Sequence, residues 1–336
     1  MRTFLVTGAS GFVGGNLART LVARGDRVSA HYRPGDDTLL LDGLPIEHFP
    51  GDLCDADLLH RAATGCDGVF HTAGNMSFLS WERPLQLRVN VEGTRAVVEA
   101  CRKAGVRRLV HTSTVNTLGI PHPAGAEGDE NTPFNWEPLD FHYAITKRRG
   151  EELALAANGS SLEVISVNPG TIFGPGDVNF NAGSYIRAIA RNLVPFYPEG
   201  GTNCVHVDAV VAGHLAAFER GRPGERYILG GENLTYREMF TKIAEVLGRP
   251  KPRFVIPYAA ALAGATLVDL VARPLRLRLR ISAEAVRAGR HLLFYSSAKA
   301  RRELDLPFIP FRRAVEDAVR WYREHGSDLA PRGIAC

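Results

Sequence analysis

The sequence contains few cysteines, few lysines and no long uninterrupted apolar run. Its five cysteines among 336 residues are odd in number and scattered, and no two of them form a Cys-x-x-Cys pair. A disulfide framework and a zinc site are therefore both disfavoured, and buried thiols in a reducing cytoplasm are expected. Lysine accounts for only five of the 40 basic residues, so the positive charge is almost entirely guanidinium.

Neither a membrane-spanning helix nor a secretory signal is favoured by the apolar segments. The most apolar later stretch, residues 254–272, is rich in alanine and is interrupted by Pro257, Gly264 and Asp269. A spanning helix needs about 20 predominantly apolar residues. Met1-Arg2-Thr3 leads directly into a short strand-like segment and a glycine-rich turn, which does not fit a signal peptide. We therefore expect a cytoplasmic protein.

The net charge of +4 hides an uneven distribution. Residues 249–336 carry 17 basic and 8 acidic side chains, whereas residues 1–248 carry 23 and 28. The densest basic run is residues 273–280, in which arginine alternates with leucine or proline. No nucleic-acid-binding motif accompanies it, so no nucleic-acid partner is expected. Two interpretations stay open: a solvated rim, or a surface that contacts anionic lipid or guides an anionic substrate.

Strand-like and helix-like segments alternate through the first half of the chain. Alternation of this kind predicts βαβ units and a parallel sheet covered on both faces. The expected fold class is therefore α/β, with a Rossmann-type doubly wound parallel sheet. The predicted strands are 3–7, 27–32, 66–72, 108–112 and 162–167, and the predicted helices are 16–24, 56–63 and 84–104, the last ending at Gly105.

The alternation ends near residue 175, where loops rich in glycine, asparagine and proline begin. We predict a nucleotide-binding domain over residues 1–175, completed by a returning segment at about 203–230. Residues 204–207 are expected to rejoin the sheet. A smaller C-terminal substrate lobe would then comprise about 176–202 and 231–330, with a cleft between the two. A strand is predicted at 227–229, within the returning segment, and the lobe has predicted helices at 236–247, 283–288 and 312–325.

A glycine-rich turn connects the first predicted strand to the first predicted helix. Gly8, Gly11 and Gly14 would allow a tight turn, close approach to a pyrophosphate, and close packing of helix on strand. The free N–H groups at the start of the helix favour a phosphate. Because the turn lies between a strand and a helix, it predicts a dinucleotide site.

The end of the second strand indicates which cofactor binds. Arginine there suits the 2′-phosphate of NADP, whereas a carboxylate suits the ribose hydroxyl of NAD. The strand ends at Arg33, so NADP(H) is favoured over NAD(H), although Asp36 or Asp37 folding back to the ribose is the alternative. Asp52, after the next strand, could bond the adenine amine.

Tyr143 and Lys147 lie four residues apart, on one face of a predicted helix. A nearby ammonium would favour the phenolate and lower the Tyr143 pKa toward working pH. Ser113 and Thr114 follow a predicted strand, where their hydroxyls would face the ligand crevice. A phenol tuned in this way could exchange a proton with a carbonyl or alcohol as hydride moves.

These residues together resemble the extended short-chain dehydrogenases/reductases over nearly the whole chain. In detail the sequence is similar to the dihydroflavonol-reductase-like branch and to bacterial relatives described as sugar epimerases. The matching motifs are Thr7–Gly14 (TGASGFVG), Gly51-Asp52-Leu53, His71-Thr72-Ala73-Gly74, Asn90–Thr94 (NVEGT), Thr112-Ser113-Thr114, Tyr143 with Lys147, Asn168-Pro169-Gly170, and Val205–Asp208 (VHVD).

The resemblance implies a catalytic triad of Thr114, Tyr143 and Lys147, with Tyr143 as the acid/base. It also strengthens the NADP(H) prediction, because NADP-using reductases carry arginine at the position of Arg33. The full predicted cofactor site comprises Gly8, Ser10, Gly11, Phe12, Val13, Gly14, Arg33, Asp52, Leu53, Thr72, Ala73, Gly74, Asn90, Thr112, Tyr143, Lys147, Pro169, Gly170 and Thr171.

Two reactions remain open: reduction of a ketone or aldehyde, and epimerisation or dehydration of a nucleotide sugar. Thr114 is followed by Val115-Asn116-Thr117, without the acidic pair that an internal dehydratase needs. Apolar side chains near the crevice favour a small apolar or aromatic carbonyl or alcohol substrate, although these rings could equally be ordinary core. The predicted substrate residues are Met76, Phe78, Asn116, Phe180, Asn181, Tyr185 and His206.

Four further expectations concern function and assembly. Asn181, Arg187, Arg191 and Arg237 are candidates for a nucleotide-sugar diphosphate if the epimerase alternative holds. A regulator that has lost catalysis is disfavoured because the tyrosine and lysine are both present. No metal site is expected from the histidine spacing, and a monomer or a homodimer through helices 84–104 and 141–157 is expected.

Overall fold

The computed structural model describes residues 1–192, 195–275, 282–326 and 329. In chain order the strands are β1 Thr3–Thr7, β2 Arg27–Tyr32, β3 Glu47–Pro50, β4 Gly68–His71, β5 Arg108–Thr112, β6 Glu163–Pro169, β7 Thr171–Phe173, β8 Phe196–Pro198, β9 Gly201–His206, β10 Arg226–Leu229, β11 Glu232–Thr235, β12 Phe254–Ile256 and β13 Leu292–Leu293. The helices are α1 Phe12–Ala23, α2 Ala56–Ala63, α3 Arg83–Leu87, α4 Thr94–Lys103, α5 His142–Ala156, α6 Gly183–Ala190, α7 Val207–Arg220, α8 Tyr236–Leu247, α9 Tyr258–Leu275, α10 Ala283–Gly289, α11 Ala298–Leu304 and α12 Phe311–Glu324.

Seven strands form one sheet in the order β10-β6-β5-β4-β1-β2-β3. Every neighbouring pair in it is parallel, with Leu5 opposite Ser29 on one side and Val69 on the other. Helices cover both faces of such a sheet, so its central strands are apolar runs buried on both sides. The predicted Rossmann-type fold class is confirmed.

The two faces of this sheet bury separate cores, because successive strand residues point to opposite sides. Phe4 and Val6 pack into a cluster with residues of α1 and α7. Leu5, between them, packs into the opposite cluster with residues of α2, α4 and α5. The strand order reverses between β1 and β4, which opens a crevice at their carboxyl ends, where ligands bind in folds of this kind.

A second, four-stranded sheet lies in the C-terminal half. β9 is its centre and pairs with β7, β11 and β13, while β8 and β12 form a separate two-stranded ribbon. Helices α6, α8 and α12 cover this sheet through a third core cluster that includes Phe173, Phe240 and Phe311. Phe173 and Phe311 meet edge to face, with ring centroids 4.9 Å apart.

The prediction that residues 204–207 rejoin the large sheet is wrong. They belong to β9 and to the start of α7, and β9 pairs within the small sheet. The segment that returns to the large sheet is β10, which lies parallel to β6 with Tyr227 opposite Val167. Apolar alternation identifies a strand, but its hydrogen-bonding partner is decided by long-range packing.

The predicted single helix over residues 84–104 is divided. A π-helical segment, Arg88–Gly93, separates α3 from α4. Such wide turns occur frequently at functional sites, and this one contains Asn90. Gly150 of α5 packs against it so closely that a Cβ there would collide with the Asn90 carbonyl oxygen. Gly105 follows α4 with φ +70°, as a left-handed helix end requires.

The apolar stretch 254–272 forms β12 and most of α9. Among the residues described, no helix is long and apolar enough to cross a membrane. The basic run 273–280 begins in the last turn of α9 and, from residue 276 onward, lies outside the described residues.

Candidate active site

The glycine turn places the start of α1 against the ends of β1 and β4. Gly8 has φ +70°, and a Cβ there would lie 2.7 Å from the backbone of Ala73. A Cβ on Gly14 would collide with the Gly8 carbonyl oxygen and approach the Thr72 hydroxyl to 2.6 Å. Ser10 and Phe12 are both buried within this turn. The glycines therefore permit a close packing of loop, helix and strand that larger residues would prevent.

The N-terminus of α1 has the features that a pyrophosphate requires. Its N-cap is Gly11, no side chain caps it, and its first turn contains no acidic residue. The N–H groups at this end, including that of Val13, therefore have no side-chain cap, and the helix dipole adds positive potential. The described residues fit a dinucleotide here.

At the end of β4, Asn90 holds the segment that follows the strand. Its Oδ1 accepts a hydrogen bond from the Asn75 N–H at 2.8 Å, and its Nδ2 donates to the Asn75 carbonyl at 3.0 Å. A Cβ on Gly74 would lie 3.5 Å from Asn90 Oδ1 and 3.6 Å from Lys147 Nζ. Gly74 therefore lies close to both the Asn90 amide and the Lys147 ammonium. Asn90 itself belongs to the π-helical segment.

At the end of β2, Arg33 and Asp36 form a chain that reaches the glycine turn. Arg33 Nε and Nη2 donate to Asp36 Oδ1 at 3.0 and 2.7 Å. The Ser10 hydroxyl donates to Asp36 Oδ2 at 2.9 Å. Asp37 instead accepts from the Leu39 N–H in its own turn. A guanidinium and a carboxylate thus both stand at the predicted ribose position, with Arg33 the more exposed at 74% against 22% for Asp36.

Asp52 and Leu53 are held by protein partners. Asp52 accepts from the Cys54 N–H at 2.8 Å and from Arg88 Nη2 at 2.7 Å. These two interactions, the backbone bond first, lower the pKa of its carboxyl. Leu53 is buried against Gly93, where a Cβ would collide with it. Sequence reasoning gave Asp52 a role toward adenine and did not foresee the Arg88 pair.

Tyr143, Lys147 and Thr114 are all buried beneath the crevice, with 8%, 6% and 8% of their surfaces exposed. Lys147 Nζ donates to the Thr112 carbonyl at 2.8 Å, which ties α5 to the end of β5. Thr114 has extended backbone, and its Oγ1 accepts from the Asn116 N–H at 3.3 Å. The hydroxyl, the phenol and the ammonium therefore lie where β5 ends and α5 begins.

The expected lowering of the Tyr143 pKa does not occur in this structure. Burial raises the pKa of the phenol to about 12, and a hydrogen bond with Thr114 opposes part of that rise. Burial also lowers the pKa of Lys147 to about 8, while the charge of Glu151 raises it. Desolvation, which disfavours the charged form of each group, is the largest cause of both shifts. Tyr143 is therefore a protonated phenol at neutral pH, in the form that donates a proton.

A buried polar network, which the sequence did not reveal, supports the Thr114 loop. Asn168 Nδ2 donates to the Thr114 carbonyl at 3.2 Å, to Thr117 Oγ1 at 2.9 Å and to Glu151 Oε1 at 2.7 Å. Ser166 Oγ donates to the same Glu151 oxygen at 2.7 Å. Glu151 lies one turn after Lys147 on α5, and this spacing was the only available signal. The network fixes the loop that carries the Thr114 hydroxyl.

Phe78 is the predicted substrate residue that reaches Tyr143. Its ring stacks on Phe141 at 5.9 Å and meets Tyr143 edge to face at 6.0 Å. Phe141 in turn packs on the buried Trp136 at 4.9 Å. Met76, nearby in the chain, is 50% exposed. An aromatic wall therefore flanks the phenol.

Two other predicted rings, Phe180 and Tyr185, pack against the core of the C-terminal half. Phe180 stacks on Tyr322 at 4.6 Å, and Tyr185 lies 5.5 Å from Phe240. Both contact the third core cluster, in keeping with the alternative that such rings are ordinary core. Asn181 is exposed, and its N–H donates to Asp177 Oδ1 at 2.9 Å.

His206 caps a helix, and residues 169–171 join the two sheets. His206 Nδ1 accepts from the Asp208 N–H at 2.9 Å at the start of α7. Pro169 ends β6. A Cβ on Gly170 would lie 2.6 Å from the Asn203 carbonyl, and Thr171 Oγ1 lies 2.8 Å from Thr202 Oγ1. Within the described part of the chain, no group of three His, Cys, Asp or Glu residues could hold a metal ion.

Comparison with known protein families identifies the family of this chain. Residues 4–230 match the family model described as the NAD dependent epimerase/dehydratase family. The chain belongs to that family. It is an extended short-chain dehydrogenase/reductase, as its motifs indicated, and therefore an NAD(P)-dependent enzyme of the reductase or epimerase kind.

The relatives of this extended short-chain dehydrogenase/reductase include both kinds of enzyme. A Synechocystis protein named as a dihydroflavonol 4-reductase is 35% identical, over 96% of this chain and 95% of its own. A Stigmatella aurantiaca ketoreductase of a farnesylated dihydroquinoline oxide is 35% identical, over 98% and 99%. The structure of a nucleoside-diphosphate-sugar epimerase from Pseudomonas aeruginosa is 28% identical with a TM-score of 0.80, over 97% and 99%.

Proposed function

We propose that the protein reduces a ketone or aldehyde in a small apolar or aromatic substrate, using NADP(H) as the hydride donor and Tyr143 as the proton donor. The observation that carries this proposal is the setting of Tyr143: a buried phenol, protonated at neutral pH, beside the ring of Phe78. An apolar wall with one polar group that orients the ligand is typical of sites for such substrates.

The bound nicotinamide would supply the hydride, and the chain would supply position and a proton. The N–H groups at the start of α1 would hold the pyrophosphate, with the Gly8 turn allowing it to approach. Tyr143 would donate its phenolic proton to the substrate oxygen as negative charge develops there. The Thr114 hydroxyl would orient the same oxygen, and the Asn168 amide would hold the Thr114 loop in place.

Lys147 would stabilise the phenolate that proton donation leaves behind. Its ammonium lies one helical turn from Tyr143 and is held by the Thr112 carbonyl. Glu151, one turn further along, favours the charged form of Lys147. A cation close to a phenolate in a buried site interacts with it strongly. The Lys147 ammonium would therefore stabilise the phenolate until a proton taken up from solvent restores the phenol for the next turnover.

The ketoreductase and dihydroflavonol-reductase relatives support reduction, and the epimerase neighbour supports the alternative of a nucleotide-sugar epimerase. In the loop after Thr114, the residues Val115, Asn116 and Thr117 provide no carboxylate for a dehydration. Reduction consumes and releases its cofactor, whereas epimerisation retains it.

A turnover assay tests the proposal. Purified protein is mixed with NADPH or NADH and with aromatic ketones, aldehydes, steroid ketones or nucleotide sugars, and loss of reduced-cofactor absorbance is followed. We expect NADPH consumption with one of the apolar carbonyl classes and no cofactor retained on purification. Protein that purifies with NAD firmly bound, and that epimerises a nucleotide sugar without consuming cofactor, would contradict reduction.

The Arg33→Ala variant tests the cofactor preference. Removing a guanidinium that binds a phosphate costs about 1.5–3 kcal/mol, which is roughly 10- to 100-fold in affinity. We expect the KM for NADPH to rise by that factor, with little change for NADH, measured by steady-state kinetics with both cofactors. The Asp36→Asn variant is the counterpart, since it should weaken NADH and favour NADPH. Equal effects of Arg33→Ala on the two cofactors would exclude a 2′-phosphate contact.

A further inference from the structure

The C-terminal half presents apolar side chains to solvent on β8, β12 and α9. On β8 and β12, Phe196, Phe254 and Val255 are 44%, 60% and 46% exposed, and the two rings lie 5.9 Å apart. After Pro257 the chain continues into α9, where Leu267, Leu270 and Val271 are 64%, 71% and 53% exposed. These six residues are called the apolar surface. Exposed apolar side chains of this size, when they cluster, mark interaction sites.

Helix α9 is attached to the molecule along a narrow stripe only. Of its side chains up to Ala272, Ala265 and Ala272 are buried, and the helix packs mainly on α10. Leu267, Leu270 and Val271 recur at the three- and four-residue spacing that places side chains on one helix face. A face that packing against the protein does not use is therefore built from large apolar residues.

Two polar side chains of α9, those of Asp269 and Thr266, have hydrogen-bond partners. Asp269, the one acidic residue of α9, accepts a hydrogen bond from the Ala283 N–H at 2.8 Å and so caps α10. The Thr266 hydroxyl donates to the Leu262 carbonyl one turn earlier at 2.8 Å. Transfer of the exposed face out of water would therefore leave neither group without a partner.

Cationic side chains flank the apolar surface. Arg237, Lys251 and Arg253 line a groove of about 1100 Å³ that Val255 also lines. Lys251 pairs with Glu245, whereas no hydrogen bond or ion pair within the described ranges engages the Arg237 or Arg253 side chain. The groove also contains the carboxylates of Glu199 and Glu238, and the Glu238 carboxylate accepts hydrogen bonds from the N–H and the hydroxyl of Thr235 at the start of α8.

A fourth cation lies at the start of α9. The Arg290 guanidinium sits 4.4 Å from the centre of the Tyr258 ring. Cationic and aromatic side chains next to an apolar helix face are the pattern of helices that lie in a membrane interface. A second copy of this chain fits less well, because a twofold contact would bring these cations toward their own copies.

We propose that the apolar surface docks on an anionic lipid bilayer, with Phe254 and the exposed face of α9 entering the headgroup region and Arg237 and Arg253 contacting lipid phosphates. The helix lies on the membrane and does not cross it, in agreement with the absence of a spanning helix among residues 1–192, 195–275 and 282–326. This inference is independent of the proposed reaction.

Vesicle flotation of the full-length protein tests the docking. The probes are vesicles of phosphatidylcholine alone and of phosphatidylcholine with phosphatidylglycerol. We expect binding to the anionic vesicles that weakens with salt, because the headgroup attraction is screened. Leu267→Gln with Leu270→Gln should reduce that binding by about tenfold or more. Glutamine keeps the helix propensity of the replaced leucines, and circular dichroism checks that each variant is folded.

Two further variants separate the apolar and the ionic contributions. Arg237→Gln with Arg253→Gln should remove the preference for anionic vesicles. The matched control is Leu85→Gln with Leu87→Gln, which replaces two leucines of α3 that are 36% and 40% exposed. This variant should bind the anionic vesicles as the parent does. The proposal is overturned if the parent does not float with anionic vesicles, or if the Leu267 and Leu270 variant floats equally well. A dimer that the same variant dissociates in sedimentation would also overturn it, by making a second copy the occupant.

Discussion

Replacing Tyr143 by phenylalanine is expected to lower kcat for carbonyl reduction by about 10³-fold, within the range that general acid catalysis supplies. The change removes one hydroxyl and keeps the ring that meets Phe78 edge to face. Neither the glycine turn nor the start of α1 touches this hydroxyl, so NADPH should still bind. Single-turnover kinetics measures the chemical step, and titration of protein fluorescence measures NADPH affinity.

Tyr227→Phe is the matched control for this variant. This variant also removes the phenolic hydroxyl of a buried tyrosine. The Tyr227 hydroxyl accepts a hydrogen bond from the Arg222 N–H at 3.0 Å and donates one to Glu303. It lies on the edge strand β10, on the face opposite the site, and its loss should leave kcat unchanged. If Tyr143→Phe loses cofactor binding and turnover in equal measure, or loses neither, Tyr143 is not the proton donor.

Gly14→Ala is expected to raise the KM for NADPH by about 10²-fold, the cost of displacing a binding group by roughly 1 Å. The added methyl would collide with the Gly8 carbonyl, which is backbone and has no alternative rotamer. Relief of the collision must move α1 away from the turn, so the N–H groups leave their places. Such overpacking also lowers the free energy of unfolding by about 1–3 kcal/mol. Kinetics with NADPH and thermal unfolding follow the two effects.

Gly264→Ala provides the comparison within another helix. A Cβ on Gly264 meets no atom within 4 Å, and α9 is helical there. Alanine is favoured over glycine in a helix interior by about 1 kcal/mol. This variant should therefore be as stable as the parent or more so, with unchanged KM for NADPH. If Gly14→Ala behaves like Gly264→Ala, the close approach at the turn is not what holds the cofactor site.

The pKa of Lys147 is lowered and the pKa of Tyr143 is raised. With a pKa of about 12, the phenol remains protonated throughout the neutral range. Burial, which the sequence does not specify, is the cause. The spacing of Tyr143 and Lys147 alone predicted a shift in the opposite direction.

Local sequence patterns predicted β1, β2, β4, β5 and β6 of the large sheet and the turn that follows β1. Buried parallel strands must be apolar on both faces, so they read as short apolar runs between helices. A left-handed or sterically closed backbone position must be glycine, so Gly8 and Gly105 mark their turns. Both constraints act between residues that are close in the chain, and for that reason the sequence reveals them.

Contacts between residues that are distant in the chain could not be predicted from the sequence in the same way. β9 pairs with β7, β11 and β13. The alternation of apolar and polar residues within each strand does not indicate which strands pair. The π-helical segment around Asn90 breaks a continuous helical pattern because α5 approaches it at Gly150. Likewise, the aromatic rings of Phe180 and Tyr185 suggested the lining of a substrate site, yet they pack on the core that α8 and α12 help to form.

The sequence by itself determined the fold class, the family motifs and the chemical groups at the ends of β1, β4 and β5, because these depend on backbone geometry and local spacing. Tertiary structure decided how those groups are charged and held. Burial sets the protonation of Tyr143 and Lys147, Asp36 ties Arg33 to Ser10, and Asn168 with Glu151 anchors the Thr114 loop. Desolvation and hydrogen-bond partners arise only when distant segments enclose a group, and no local pattern records them.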